Sequence, residues 1–285
     1  MTSSPNWDVV VDGLAFPEGM RWRDGFLYYS DIFGGVVQRV RPGGKPETLA
    51  EIDGLPSGLG FTPDGSLLVV SMRTRSVMKL GTNGPVLWSD LSELTGGDCN
   101  DMLVDRLGRA YVGNFGYDYV GGAERRPAAL VMVDPSGVAR QVAHDLWFPN
   151  GIVTTPDGST LLVAEPRGER ITAFDIEPDG SLTNRRVFSE LPERGPDGMT
   201  MDRDGGVWFG DPHTSEIVHV DASGAIVTTW GAPNEKAQAC TLGGDDGCTL
   251  FVACSPTSDQ HDASTRRPAK ILATRVPVGA ARPPS

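Results

Sequence analysis

The chain has 285 residues, 39% hydrophobic and 22% charged, with 36 Gly and 22 Pro, a globular composition long enough to bury a sizeable core. Its formal net charge of −12 argues against nucleic-acid and anionic-membrane partners, which need clustered positive charge. The first residues lack the basic start and apolar run of a signal peptide, and no apolar stretch approaches the ~18–20 residues that cross a bilayer, so a cytoplasmic protein is expected. Cys99, Cys240, Cys248 and Cys254 form no CxxC pair. The usual zinc spacings are therefore missing, and reduced, mostly buried thiols are expected.

The first predicted element is a strand over 6–13 (NWDVVVDG). A unit then recurs six times: a short apolar run, a turn built on Gly, and a second strand rich in Val, Leu and aromatics. In chain order it reads MRWRDGFLYYSD, LGFTPDGSLLVVSM, MLVDRLGRAYVGNF, IVTTPDGSTLLVAE, MTMDRDGGVWFGD and TLGGDDGCTLFVAC. The turn glycines, Gly25, Gly65, Gly108, Gly158, Gly205 and Gly247, are 40, 43, 50, 47 and 42 residues apart. Asp-Gly between apolar runs signals a hairpin, because Gly supplies the positive φ of the turn. A second hairpin follows most units, as in ALVMVDPSGVARQVA. Two hairpins per repeat make a four-stranded antiparallel sheet, and six such sheets in a ring make a six-bladed β-propeller. The sixth unit has one late strand, at 270–276, so the strand at 6–13 should complete it and close the ring. The whole chain, 1–285, then forms one propeller domain.

Counting back eight residues from the later turn glycines reaches Ser57, Asn100, Asn150, Asp197 and Ala239; seven back from Gly25 is Glu18. These positions open the innermost strand of each blade and should share one end of the central channel. Glu18, Asn100, Asn150 and Asp197 would bring two carboxylates and two amides together there, an all-oxygen set suited to one hard divalent cation. Ca²⁺ is the first choice, with Mg²⁺, Mn²⁺ or Zn²⁺ as alternatives. A lone Pro-Asp-Gly is an ordinary turn, but turn chemistry does not place four oxygen donors in register with a repeat.

The segments FPEGMRW, CNDMLVDRLGRAYVG, FPNGIVTTPDGSTLLVAEP and GPDGMTMDRDGGVWFGD, in order over nearly the whole chain, resemble the SMP-30/gluconolactonase/luciferin-regenerating family. Its pattern runs Glu…Asn-Asp-Gly…Ser-Asn-Gly…Pro-Asp-Gly. The resemblance implies that Glu18, Asn150 and Asp197 ligate the metal and that Asp197 doubles as general base. It also implies that Asn100 contacts substrate or metal-bound water, and that Asp101 contacts substrate. Two positions depart from the pattern. Asp98 stands where gluconolactonase-like members often carry an Arg that grips sugar hydroxyls, and Met102 replaces Gly.

The second strands return to the metal end, so their exit residues, Asp31, Met72, Arg73, Asn114, Phe115, Glu165, Asp211 and His213, are expected around its mouth. His213 is taken as a candidate substrate contact. The long connections 115–128 and 255–269 leave at the same end, where substrate selection is expected. Metal-assisted hydrolysis of a lactone or related small ester is the leading functional expectation. Two others stand beside it: the same metal site used for phosphoester cleavage or for isomerisation or cyclisation of a biosynthetic intermediate, and a non-catalytic binding propeller.

Overall fold

In the computed structural model, which describes residues 5–233 and 235–281, the turn glycines do adopt positive φ, from +72° at Gly158 to +85° at Gly65 and Gly205. The strands on either side of them pair antiparallel. The innermost strands of the first three blades are β2 (Pro17–Arg23), β6 (Pro56–Phe61) and β10 (Cys99–Val104). Those of the last three are β14 (Ile152–Thr154), β18 (Met199–Met201) and β22 (Lys236–Gly243). Each opens a four-stranded sheet: β2–β5 over 17–51, β6–β9 over 56–90, β10–β13 over 99–146, β14–β17 over 152–190 and β18–β21 over 199–231. The sixth blade runs β22, β23 (Thr249–Ser255), β24 (Ala269–Arg275) and then β1 (Asp8–Leu14), which pairs with β24 from Asp8↔Ala273 to Leu14↔Ala269. The chain is a six-bladed propeller closed by its N-terminal strand, as the repeat implied.

The core is laminar. Six apolar layers each lie between neighbouring blades, such as Leu68, Val70, Met102 and Val112 between the second and third. Trp22 of the first blade stacks on Phe251 of the sixth at 5.3 Å. Inner strands approach so closely that glycine is required where they meet. A Cβ on Gly19 would lie 2.3 Å from Ser57 O, one on Gly58 2.4 Å from Met102 N, and one on Gly113 2.4 Å from Pro149 O. Gly151 meets Asp197 O at 2.5 Å, Gly198 meets Ala239 Cβ at 2.6 Å, and Gly243 meets Trp22 at 2.4 Å. Every blade junction thus contains a glycine with no room for a side chain.

The connection after β23 is not loop throughout. It contains α1 (Gln260–Arg266), capped by Asp259, whose side chain accepts from Asp262 N. Polar side chains all round hid this short helix from apolar periodicity. Cys99, Cys240 and Cys254 are buried and all four thiols are free. Among the described residues no helix is long and apolar enough to cross a membrane.

Candidate active site at the end of the channel

The first three inner strands and β22 each break register where the site residues stand. Pairing jumps from Glu18↔Ser30 to Arg21↔Tyr28, from Pro56↔Ser71 to Leu59↔Val69, and from Cys99↔Asn114 to Met102↔Val112. In β22 it jumps from Ala237↔Cys254 to Ala239↔Ala253. Two residues oppose one at each bulge, which bends the strand and re-aims a side chain. The bulges lie at one end of the ring, around a cavity of about 810 Å³. Glu18, Asn100, Asn150, Asp197 and His213 all line it. A second cavity, of about 880 Å³, opens among the turns at the other end and is lined by none of them.

Glu18, Asn100 and Asn150 are buried to 7–8% exposure. Asn100 donates its side-chain N–H to Pro149 O at 3.4 Å, which leaves the amide oxygen for a ligand. Burial first, then the charge of Asp101, pushes the Glu18 carboxyl up to about 8. Asp197 is raised well above the usual carboxylate range by burial, then by Glu18, Asp101 and Asp211. Its Oδ1 is buried without a hydrogen-bond partner. Both carboxyl groups therefore sit where an ionised pair is penalised unless positive charge joins them. Arg21 is spent elsewhere, on Asp101. Among the described residues no group of three or more His, Cys, Asp or Glu is arranged to hold a metal, so an ion here would draw on the two amide oxygens as well. Two amides and two carboxylates, one of them with an orphaned oxygen, fit a hard divalent cation.

Asp101 is placed differently from the expectation. It is 4% exposed, does not line the cavity, and accepts from Arg21 Nη2 at 3.0 Å and Met102 N at 2.8 Å. Its carboxylate joins the first blade to the third beneath the floor. His213 is at the wall because Gly195 makes room for it: a Cβ on residue 195 would lie 2.6 Å from the imidazole Nδ1.

Of the expected exit residues, Met72, Arg73, Phe115 and His213 line the cavity, whereas Asp31, Asn114, Glu165 and Asp211 are fully buried. They peg the rim from behind. Asp31 accepts from Phe16 N at 2.8 Å and Arg267 Nη2 at 2.7 Å, Glu165 from Trp147 N at 2.6 Å, and Asp211 from Gly195 N at 3.2 Å. A strand-end carboxylate pointing into a neighbouring loop backbone reads the same in sequence as one pointing into the mouth.

Gln238 escaped the sequence reading. It is the extra residue of the β22 bulge, 2% exposed, lines the cavity, and has neither amide atom partnered. Counting in register from Gly247 lands one residue away, on Ala239; a bulge is the signal that would have corrected the count.

The chain is thus a six-bladed propeller that gathers acidic and amide oxygens at one channel mouth. Residues 16–255 match the SMP-30/Gluconolactonase/LRE-like region, and the chain belongs to that family. Similar curated proteins include the pentonolactonase XacC of Haloferax volcanii, 28% identical over 86% of this chain and 83% of its own length. The 6-deoxy-6-sulfogluconolactonase of Pseudomonas putida is 24% identical over 92% of this chain and 91% of its own. Among solved structures, a calcium-binding regucalcin of Agrobacterium tumefaciens superposes with a TM-score of 0.82 at 19% identity, covering 98% of this chain and 97% of that one.

Proposed function

We propose that the protein is a lactonase-like hydrolase of a small lactone or related ester, using one divalent cation, Ca²⁺ by preference, held by Glu18, Asn150 and Asp197 with Asn100 beside them. The observation that carries the reading is the unpartnered Oδ1 of Asp197 on a buried floor shared with Glu18 and two amides. The lactonases among the relatives support the reaction class. A divalent cation, when bound, supplies Lewis-acid polarisation of an ester carbonyl.

Asp197 is the general base. It takes a proton from water as the water oxygen bonds to the carbonyl carbon, and returns it to the ring oxygen as the ring C–O bond breaks, leaving a hydroxy acid. Asn100 orients the ester group, and Arg21 fixes Asp101 below the floor so that the carboxylates above keep their spacing. A lactone and ester panel, assayed after chelation and again after adding back Ca²⁺, Mg²⁺, Mn²⁺ or Zn²⁺ singly, tests the reading. Turnover should vanish with the chelator and return with one ion; turnover indifferent to chelation removes the metal, and none on any lactone removes the reaction.

A further inference from the structure

Above the floor, the cavity wall follows the same register as the floor itself. The residues two places before Glu18, Ser57, Asn100 and Asn150 are Phe16, Leu55, Asp98 and Phe148, and all four line the cavity. Three of them are apolar. Phe148 stacks on Phe115 with centroids 4.2 Å apart and planes at 10°. Tyr119 stands edge-on to both rings at 5.6 Å. Phe16 packs against Phe33 at 5.1 Å. Phe16 and Phe33 border the first blade and Phe148 the fourth. These blades face each other in a ring of six, so the aromatic pairs form opposite walls of a slot over the floor.

The slot is built rather than incidental. Phe148 and Leu55 hold φ of +63° and +72°, left-handed backbone that bulky residues rarely adopt, and both do so where they line the cavity. Phe16, Phe33, Phe115 and Phe148 are only half-buried, so apolar faces are left open inside the mouth. Arg167 lies 5.7 Å over the Phe148 ring and 5.9 Å over Tyr119, backing one wall. Polar groups also line the cavity above the floor, among them Arg73, Asp98, Arg167, His213, Lys236 and Gln260, but none belongs to the two aromatic pairs. Hydroxyls of a polyol lactone turned toward these ring faces would lose water and find no partner there, whereas a flat apolar group fills the gap between them well.

We propose that the substrate is a lactone bearing a flat apolar substituent, an aryl or similar ring, lodged between Phe16/Phe33 and Phe115/Phe148 with its ester at the floor. The inference rests on the lactonase reading of that floor. Three five-membered lactones test it: γ-butyrolactone, a pentono-1,4-lactone and γ-phenyl-γ-butyrolactone. The lactam 5-phenyl-2-pyrrolidinone, which is not turned over, reports binding by calorimetry. The phenyl lactone should have the highest kcat/KM, by about tenfold or more over the pentonolactone. Tyr119→Ala, at a site 49% exposed and so safe for folding, and Phe115→Ala should each lower the phenyl-to-unsubstituted ratio of kcat/KM about tenfold and weaken lactam binding in step.

A preference for the pentonolactone, or variants that leave that ratio and the lactam Kd unchanged, overturns the proposal. So does failure of the lactam to bind at all. Lactam binding that responds to the variants, with no lactone hydrolysed, sinks the hydrolase reading but keeps the slot. Rapid hydrolysis without aryl preference does the reverse.

Discussion

Gln238→Met should make the protein more stable and less active. The native amide is 2% exposed and leaves both Oε1 and Nε2 without partners. A buried polar group left unmade costs about 1–3 kcal/mol. Methionine has nearly the same length and no hydrogen-bonding need, so the swap should recover about 2 kcal/mol after a small repacking loss. At about 2 °C per kcal/mol for a chain of this length, thermal unfolding should rise by about 4 °C, measured by calorimetry at one pH in excess chelator. The residue lines the cavity, and its main-chain O accepts from Gly198 N at 2.8 Å, which leaves the side-chain amide free for a ligand. Losing it should lower kcat/KM by about tenfold, the equivalent of one hydrogen bond to a bound substrate. A variant with an unchanged or lower midpoint refutes the reasoning, because the amide is then satisfied in solution.

Asp197→Asn should retain much of the cation affinity, since an amide oxygen remains, while kcat falls about 10²–10⁴-fold; calorimetric titration with Ca²⁺ beside a turnover assay checks both, and full activity would move the base elsewhere. In chelator, stability should fall as pH rises from about 5 to 8. The raised Glu18 carboxyl, at about 8, holds its proton in the folded state where the unfolded chain has released it, so unfolding becomes easier with rising pH across that window. Glu18→Gln should flatten the slope, and saturating cation should flatten it in the wild type; denaturant midpoints at several pH values decide. Gly151→Ala puts a methyl 2.5 Å from Asp197 O, and should cost about 1–3 kcal/mol together with cation affinity, whereas Gly122→Ala, with nothing within 4 Å but φ of +72°, should disturb stability alone.

Much of the architecture was legible because the propeller repeats one decision six times. A Gly at positive φ ends each inner hairpin, so the blade count survives any single misreading. Glu18, Asn100, Asn150 and Asp197 were found together because the register from turn to strand opening is nearly constant. Where that register slips, reading failed. Gln238 lies one residue from Ala239 because a bulge inserts an extra position, and period-two counting cannot see it. For Asp101 the family resemblance implies a substrate contact, yet successive side chains part at the bulge and its carboxylate pairs with Arg21. Asp31, Glu165 and Asp211 show a different limit: whether an acidic strand end faces solvent or an N–H group of the next loop is settled only by packing.

Glycines stand at all six blade junctions. Because a Cβ at any of these glycines would fall within 2.6 Å of a neighbouring blade, against backbone at four junctions and against the Ala239 and Trp22 side chains at the other two, the inner circumference cannot shrink. The opening therefore has a width set by how closely the blades pack at these glycines, like a barrel whose staves are cut to fit a fixed hoop. Drift among the outer strands can alter solubility or partners without changing the aperture. A single added methyl on the hoop has to be accommodated all the way round it.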